Sequence, residues 1–214
     1  MTYLELVNDV LTRLRETNVS TVSETTYSAL IGKFVNDAKR QIEDAYTWNC
    51  LSTTVTVTTA SGTSSYALTG AGQKFRVNDA INSTSYLGLM AIPFVDMNRK
   101  LNFSSVVQGI PSEYCFNGVD SSNDTKVDLY PVPDGVYTLK FDIVVPQANL
   151  SADGTTVKVL DYLVTQSAYA RALIERGEDG GTNSSEAYAL FRGMLSDAIA
   201  MESTRNIEDN FEAV

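Results

Sequence analysis

The apolar residues of this chain change their spacing twice, and this change constrains the fold more than any other feature. Up to about Trp48, and again from about Val157, they recur every three or four residues, as one face of a helix requires. Between these regions they alternate with polar residues, as in a half-buried strand. The pattern predicts an α+β fold, in which helices from both chain ends form one bundle and the intervening segment forms an inserted β domain.

Four main helices are predicted for the bundle. The first opens with Thr2 and Glu5, which have the spacing of a capping box, and the second carries a long apolar stripe from Tyr27 to Tyr46. The third covers residues 157–176, which contain no Pro or Gly, and it should return the chain to the bundle. Its predicted buried face comprises Leu160, Leu163, Val164, Ala168, Ala170, Leu173 and Ile174.

A second capping box, from Asn183 to Glu186, predicts the start of the fourth helix. The residues expected to point inward from it are Ala187, Leu190, Phe191, Met194, Leu195, Ala198 and Ile199. The basic residues of the first two helices fall on polar faces, so they should be solvated or pair across a protein interface. They are Arg13, Arg15, Lys39 and Arg40.

The β segment begins with alternating β-branched residues at Thr53–Thr59, followed by turn chemistry at Ser61-Gly62. A returning strand should start near Tyr66 and Leu68, and residues 92–97 are either a loop or a short helix. Further strands are predicted at Ser112–Phe116, Lys126–Tyr130 and Val136–Val145. Short strands separated by regular turns indicate an antiparallel barrel or sandwich.

These patterns divide the chain into three parts. Residues 1–50 and 150–205 form the helical bundle, residues 51–149 the inserted β domain, and residues 206–214 a C-terminal tail. The tail is acidic but keeps Ile207, Phe211 and Val214 at spacings of four and three, which would align them on one face of a helix. We expect these three residues to bind a partner protein; the alternative, for the free subunit, is a frayed end with incidental apolar residues.

Histidine is absent from the 214 residues. The usual general base and the commonest metal ligand are therefore missing, and neither a Ser-His-Asp nor a Cys-His arrangement can be built from this chain alone. Asp120, Asp124 and Asp128 have the spacing of calcium ligands, but the Gly and Glu of an EF-hand loop are missing. We interpret these acids as a solvated turn.

The remaining acidic cluster lies at the end of the third helix and comprises Glu175, Glu178 and Asp179. Exposed charge at a helix end is its simplest explanation, so the sequence predicts no catalytic site, no metal and no cofactor. Cys50 and Cys115 both have apolar neighbours and are interpreted as buried free thiols, with a disulfide as the alternative.

The chain carries a formal net charge of −10 and has a pI near 4.4. Nonspecific DNA binding depends on Lys and Arg neutralising phosphates, so an acidic protein should tolerate DNA nearby without gripping it. No apolar run approaches the roughly 20 residues of a membrane helix, and no basic-then-apolar leader opens the chain. We expect a soluble protein that stays in the compartment where it is made.

Two phrases in the β segment are more specific. They are G-I-P-S-E-Y at Gly109–Tyr114, followed by Asn117-Gly118, and V-D-L-Y-P-V-P-D-G-V-Y-T-L-K-F-D at Val127–Asp142. With the opening M-T-Y-L-E-L-V-N-D-V-L-T-R-L-R-E and the later L-D-Y-L-V and G-E-D, their order resembles the head-to-tail adaptor family of tailed bacteriophages. The resemblance covers most of the chain, although residues 83–105 match no part of it.

This resemblance implies a helical bundle carrying an inserted β domain, and a structural role in the virion without a cofactor. It implies a homo-oligomeric ring, dodecameric, beneath the portal at the capsid vertex, where DNA passes through and a tail or nozzle protein docks on the far side. The portal would then be the partner of Ile207, Phe211 and Val214. No membrane contact is implied.

Two other classes remain open from the residues themselves. The β segment could be a carbohydrate- or receptor-binding module of a phage tail, because eleven Tyr and one Trp could supply stacking surfaces. A two-carboxylate glycosidase would need an acid pair held about 5–9.5 Å apart in a cleft. The sequence identifies no such pair.

Overall fold

The computed structural model describes residues 1–103, 105–177 and 181–205. The fold is α+β, and chain contacts divide it into two compact units, Met1–Leu51 with Pro146–Val214 and Ser52–Val145. The α-helices of the described residues are α1 (Tyr3–Arg13), α2 (Thr26–Ala45), α3 (Phe94–Asn102), α4 (Asp161–Arg176) and α5 (Thr182–Ser203). All except α3 belong to the first unit.

The capping box predicted for α1 is confirmed. Thr2 Oγ1 accepts a hydrogen bond from the Glu5 amide at 3.3 Å, and Glu5 Oε2 accepts one from the Thr2 amide at 2.7 Å. Two N–H groups that the first helical turn cannot satisfy are therefore paired. The helix then buries its apolar face, which includes Leu6, Val7 and Val10.

Helix α4 packs against α1, α2 and α5. Because it has neighbours on several sides, residues 163–168 are all buried, and the one-sided apolar stripe predicted for this helix is wrong at its ends. Leu160 and Ile174 are 40% and 61% exposed. Buried Gln166 links three helices, since Arg13 donates to its Oε1 at 2.9 Å and its Nε2 donates to the Ala187 carbonyl at 3.1 Å.

The predicted start of α5 is also wrong. The helix begins one residue before Asn183, and its N-cap is Gly181, whose φ of 94° favours glycine. Among the described residues, no side-chain hydrogen bond caps this end, and the hydroxyls of Ser184 and Ser185 donate to the Gly181 carbonyl. Of the residues expected to point inward, Ala187, Phe191 and Ala198 are buried, whereas Leu190 is exposed.

A polar stripe on α2, formed by Asn36, Lys39 and Glu43, is buried. Lys39 was predicted to be solvated or to lie at a protein interface, and this is wrong: its side chain is fully buried and pairs with Glu43 at 3.0 Å. Lys39 Nζ also donates to the Gln147 carbonyl at 2.5 Å, and Glu43 accepts from the Gln147 amide at 3.2 Å. Burial raises the pKa of the Glu43 carboxyl, while the hydrogen bond and charge of Lys39 act in the opposite direction.

Asn36 holds the next part of the same segment. Its Oδ1 accepts from the Leu150 amide at 2.7 Å, and its Nδ2 donates to the Leu150 carbonyl at 3.0 Å. Further along, Tyr3 donates its amide to the Thr155 carbonyl at 2.9 Å. The irregular segment that precedes α4 is thus fixed to both α1 and α2, which satisfies backbone groups that no strand or helix could pair.

The second unit is built mainly of strands. They are β1 (Ser52–Thr58), β2 (Ser65–Ala67), β3 (Arg76–Asn82), β4 (Leu87–Gly88), β5 (Met90–Ala91), β6 (Gln108–Gly109), β7 (Glu113–Val119), β8 (Thr125–Tyr130), β9 (Val132–Pro133) and β10 (Thr138–Val144). They form two four-stranded sheets, ordered β1-β10-β3-β4 and β2-β8-β7-β5, and the pair β6-β9. Pairing is antiparallel except for β5 with β7 and β6 with β9.

One hydrophobic core takes side chains from both four-stranded sheets. It contains Phe141 and Leu139 of β10 together with Val127 and Leu129 of β8. The Tyr114 ring of β7 meets the Phe141 ring edge-on, with centroids 5.4 Å apart. Two sheets that share a core bury their apolar faces without closing, and no sheet among the described residues closes into a barrel, so that part of the prediction is wrong.

The predicted hairpin between β1 and a returning strand near Tyr66 is wrong as well. β2 pairs with β8, whereas β1 pairs along its whole length with β10, from Ser52 opposite Val144 to Thr58 opposite Thr138. The first and last strands of the unit are therefore neighbours, as expected of a domain whose ends lie close together. The Pro-x-Pro-Asp-Gly turn after β8 carries the chain from one sheet to the other.

Both cysteines are free thiols. Cys115 is buried as predicted, but Cys50 is exposed, so the prediction holds for only one of them. Within the described ranges, no helix combines the length and the apolar composition that crossing a bilayer demands.

The buried Lys39–Glu43 pair should be essential for the stability of the helical unit. We expect Lys39→Met to lower the free energy of unfolding by about 3–5 kcal/mol, because it leaves a carboxylate buried without its partner. Arg40→Met is the matched control, since Arg40 pairs with Asp37 on the exposed face of the same helix. Urea unfolding followed by circular dichroism measures both. Equal midpoints for the two variants would contradict the prediction.

Two helical glycines should respond to alanine in opposite directions. At Gly32 of α2 a Cβ atom would lie 2.4 Å from Tyr3 Oη and 2.8 Å from Val22 Cγ1, whereas at Gly193 of α5 it meets nothing within 4 Å. Gly32→Ala should destabilise by about 1–3 kcal/mol through overpacking. Gly193→Ala should stabilise by up to about 1 kcal/mol through helix propensity. Thermal unfolding of both variants tests this prediction. Unfolding temperatures that shift in the same direction in both variants would refute it.

Candidate interaction surfaces

Exposed large apolar side chains concentrate in one stretch of the β unit, residues 86–110. Soluble proteins leave single apolar residues exposed, but a concentration of this kind marks a contact surface. The exposed members are Tyr86, Leu87, Met90, Phe94, Val95, Phe103, Val106, Val107 and Ile110. We call this stretch the apolar segment; it overlaps residues 83–105, in which the sequence phrases gave no resemblance to the adaptor family.

Helix α3 lies at the centre of the apolar segment and contacts β7 and β8. Met97 is completely buried, and Lys100 forms an ion pair with Glu113 of β7 and lies over the Tyr130 ring, 5.0 Å from its centroid. These contacts fix the helix, while Phe94 and Val95 remain 50% and 57% exposed. The exposed apolar groups are therefore presented by an anchored element.

A groove of about 440 Å³ lies between α3 and the strands β2, β7 and β8. Its lining includes Phe94, Asn98 and Leu101 from the helix, and Asn117 and Asp128 from the sheet. Asp128 is only 5% exposed. Its Oδ2 accepts a hydrogen bond from Asn117 Nδ2 at 2.7 Å, and its Oδ1 has no hydrogen-bond partner within the described structure.

The three acids with calcium-like spacing do not converge. Asp120 Oδ1 accepts from the Ser122 and Asp124 amides at 2.8 and 2.9 Å, and Asp124 Oδ1 accepts from the Gly72 amide at 3.0 Å. These two acids hold a turn together, as interpreted from the sequence, but Asp128 is buried and the interpretation is wrong for it. In the part of the chain that the structure describes, no three potential ligands among Cys, Asp and Glu come together as a metal site.

Sequence reasoning missed the groove for a physical reason. Alternation along β8 places Val127 and Leu129 in the core and Asp128 on the opposite face, which predicts a solvated carboxylate. Asp128 is buried because segments far apart in sequence, α3 among them, surround it on that face. Asp128 also adds to the effect of burial in raising the pKa of the neighbouring Cys115 thiol, which therefore stays protonated and weakly nucleophilic.

The helical unit presents a second surface, where the start of α4 lies beside the end of α5. A groove of about 740 Å³ is lined there by Leu160, Tyr162 and Met201, among others, and Met201 is 75% exposed. Arg205, the last described residue, also lines it. The predicted partner-binding residues Ile207, Phe211 and Val214 lie outside the described residues, as do Glu178 and Asp179. Glu175 is exposed near the end of α4.

Comparison with protein families gives one finding. A family model described as SU10 adaptor protein matches residues 1–210, nearly the whole chain. A search of the curated proteins finds no match. The match covers both chain ends and the β unit between them, and it agrees with the resemblance seen in the G-x-P-x-x-Y and L-Y-P-x-P-D phrases. The chain therefore belongs to the SU10 adaptor protein family, a family of bacteriophage head-to-tail adaptors.

Proposed function

We propose that this protein forms a ring between the portal and the tail of a tailed bacteriophage, with DNA passing through its channel. The observation that carries the proposal is the family match over residues 1–210. Membership makes the chain a structural component of the virion. We propose the finer parts of this role: a position in the neck of the particle, a dodecameric ring, and binding to the portal and to a downstream tail or nozzle protein.

Ring assembly requires each subunit to offer two different, complementary surfaces, because the contacts in a cyclic ring are heterologous. Two candidate surfaces of different character support this. The apolar segment of the β unit exposes aromatic and aliphatic side chains around α3, and the helical unit exposes Leu160, Tyr162 and Met201. Such residues contribute strongly when a partner covers them.

The net charge of −10 supports a conduit role. DNA must move through the channel, and protein contacts that neutralise its phosphates would hold it in place. An acidic protein repels the phosphate backbone, so passage proceeds without specific binding. The proposed role needs neither catalysis nor a cofactor.

The C-terminal tail is proposed to dock onto the portal through Ile207, Phe211 and Val214. A short acidic segment buries little area alone, but three aligned apolar anchors offset the cost of ordering it when a partner supplies the groove. The carbohydrate-binding alternative has less support, because the family match favours the adaptor role. Trp48 and Tyr114 are only 2% and 6% exposed and cannot stack on a sugar, whereas Tyr86 is 93% exposed.

Assembly is tested by imaging the purified full-length protein with portal rings by electron microscopy. We expect added density on one face of the portal with the portal's rotational order, and a ring with a central channel in averaged views. A protein that stays monomeric beside the portal, and that is also missing from the neck of labelled particles, would overturn the proposal. A glycan array on the same preparation tests the carbohydrate-binding alternative.

Tail docking is tested by deleting residues 206–214. We expect the ring to form and attachment to portal-bearing heads to fall, because the apolar anchors are lost. The matched control replaces the acids of the tail, Glu208, Asp209 and Glu212, by their amides and keeps the anchors, so it should attach normally. Full attachment by the deletion variant, with the ring intact, would show that the tail is not the portal contact.

A further inference from the structure

The groove beside α3 contains an unusual buried group. Among the described residues that line it, Asp128 is the only ionisable one. The carboxylate is 5% exposed, and its Oδ1 has no hydrogen-bond partner among the residues that the structure describes, although a buried charge is costly without a partner. Asn117 satisfies only the other oxygen, at 2.7 Å. A binding site for a hydrogen-bond donor, and best a cationic one, explains why a carboxylate is kept here.

Two of the amide side chains that line the groove, Asn102 and Asn117, donate hydrogen bonds to other groups of the protein. Asn117 donates one side-chain N–H group to Asp128 Oδ2, and its own side-chain oxygen is still able to accept a hydrogen bond. Asn102 Nδ2 donates to the Asn98 carbonyl at 3.0 Å and to Asn98 Oδ1 at 2.7 Å, which turns its N–H groups toward α3. Both amides thus use N–H groups on the protein, and Asp128 supplies the one formal charge among the described residues of the lining.

Uncharged polar residues, among them Ser64, Ser65 and Gln108, make up much of the remaining lining, and four apolar residues supply walls for an aliphatic stem. These four residues are Leu101, Val106, Val132 and Phe94 of α3, whose ring is half exposed. A guanidinium group fits this combination better than an ammonium group, because it carries five N–H donors in one plane and stacks on aromatic faces. A divalent metal fits poorly, since one carboxylate with one oxygen already engaged offers too few anionic ligands.

We propose that the groove receives an arginine side chain from another protein subunit, with Asp128 Oδ1 as its buried acceptor. The inference rests on the proposed function in identifying the partner as a virion subunit, but the chemistry of the groove stands on its own geometry. Phe94 and Val106 line the groove, are each 50% exposed, and belong to the apolar segment. The arginine is therefore presented by a surface with apolar residues around it, which cover this segment and exclude water from the ion pair.

The binding chemistry is tested on the full-length protein by ligand-observed saturation-transfer NMR, with N-acetyl-arginine amide as the probe. N-acetyl-citrulline amide, which has nearly the same shape without the charge, is the matched ligand. We expect saturable binding of the arginine probe and at least about tenfold weaker binding of the citrulline probe, because a charge-assisted bond to a buried carboxylate is lost. Equal binding of both probes would overturn the proposal. Saturation of the site by calcium chloride in the absence of either probe would also overturn it.

Two variants locate the site. Asp128→Asn keeps an acceptor for Asn117 and removes the buried charge, so it should unfold at or above the wild-type temperature and bind the arginine probe at least about tenfold more weakly. Asp96→Asn removes an equal charge from α3 outside the groove and should bind normally. Asn98→Arg places a guanidinium group of the protein itself in the groove and should block binding of the arginine probe. This variant tests the site even if Asp128→Asn folds poorly.

Wild-type affinity in both Asp128→Asn and Asn98→Arg would refute the groove as the site. The test of the groove is independent of the test of the adaptor role. Probe binding without portal attachment would count against the proposed ring but not against the groove, whereas portal attachment by a protein that does not bind the probe would count against the groove alone.

Discussion

The helical unit depends on one set of polar contacts, between the stripe Asn36, Lys39 and Glu43 of α2 and the backbone of residues 147–150. The chain re-enters this unit at Pro146 without regular structure, and its N–H and C=O groups must still be paired. Lys39 and Glu43 bind both sides of Gln147, and Asn36 binds both sides of Leu150. An entirely apolar α2 could bury as much area but could not fix this segment, so the polar stripe determines how the chain approaches α4.

The β unit solves a related problem by pairing its first and last strands. β1 and β10 run antiparallel along their full lengths, so the two ends of the unit are held by backbone hydrogen bonds. Phe141 of β10 then joins a core shared with the other sheet. Its ends and its core are thus fixed by strands, while the long connection that contains α3 leaves many apolar side chains exposed.

The surface around α3 has features that serve the proposed function and do not stabilise the isolated subunit. Met97 and Lys100 anchor α3, yet Phe94, Val95 and Phe103 remain exposed, and Asp128 holds a buried oxygen without a hydrogen-bond partner in the described part of the chain. Neither feature helps an isolated subunit. The proposed assembly accounts for both, because in it a neighbour covers the apolar groups and supplies a donor.

The sequence by itself determined the elements and the family. Local signals were enough for the α1 capping box at Thr2 and Glu5, for the long α2 and for the strands β1, β2, β7, β8 and β10, because each depends on spacing within a few residues. The ordered phrases around Gly109–Tyr114 and Val127–Asp142 pointed to the adaptor family that the match over residues 1–210 establishes.

Tertiary structure alone decided strand pairing, the burial of Lys39 and Asp128, and the exposure of Leu160 and Leu190. Alternation along β8 places Asp128 opposite the core side chains, but distant segments, α3 among them, surround and bury it. Periodicity likewise puts Lys39 on a polar face, and only the returning backbone at Gln147 turns that face inward. In each case the local pattern specifies a direction, whereas burial depends on what the rest of the chain brings to that side.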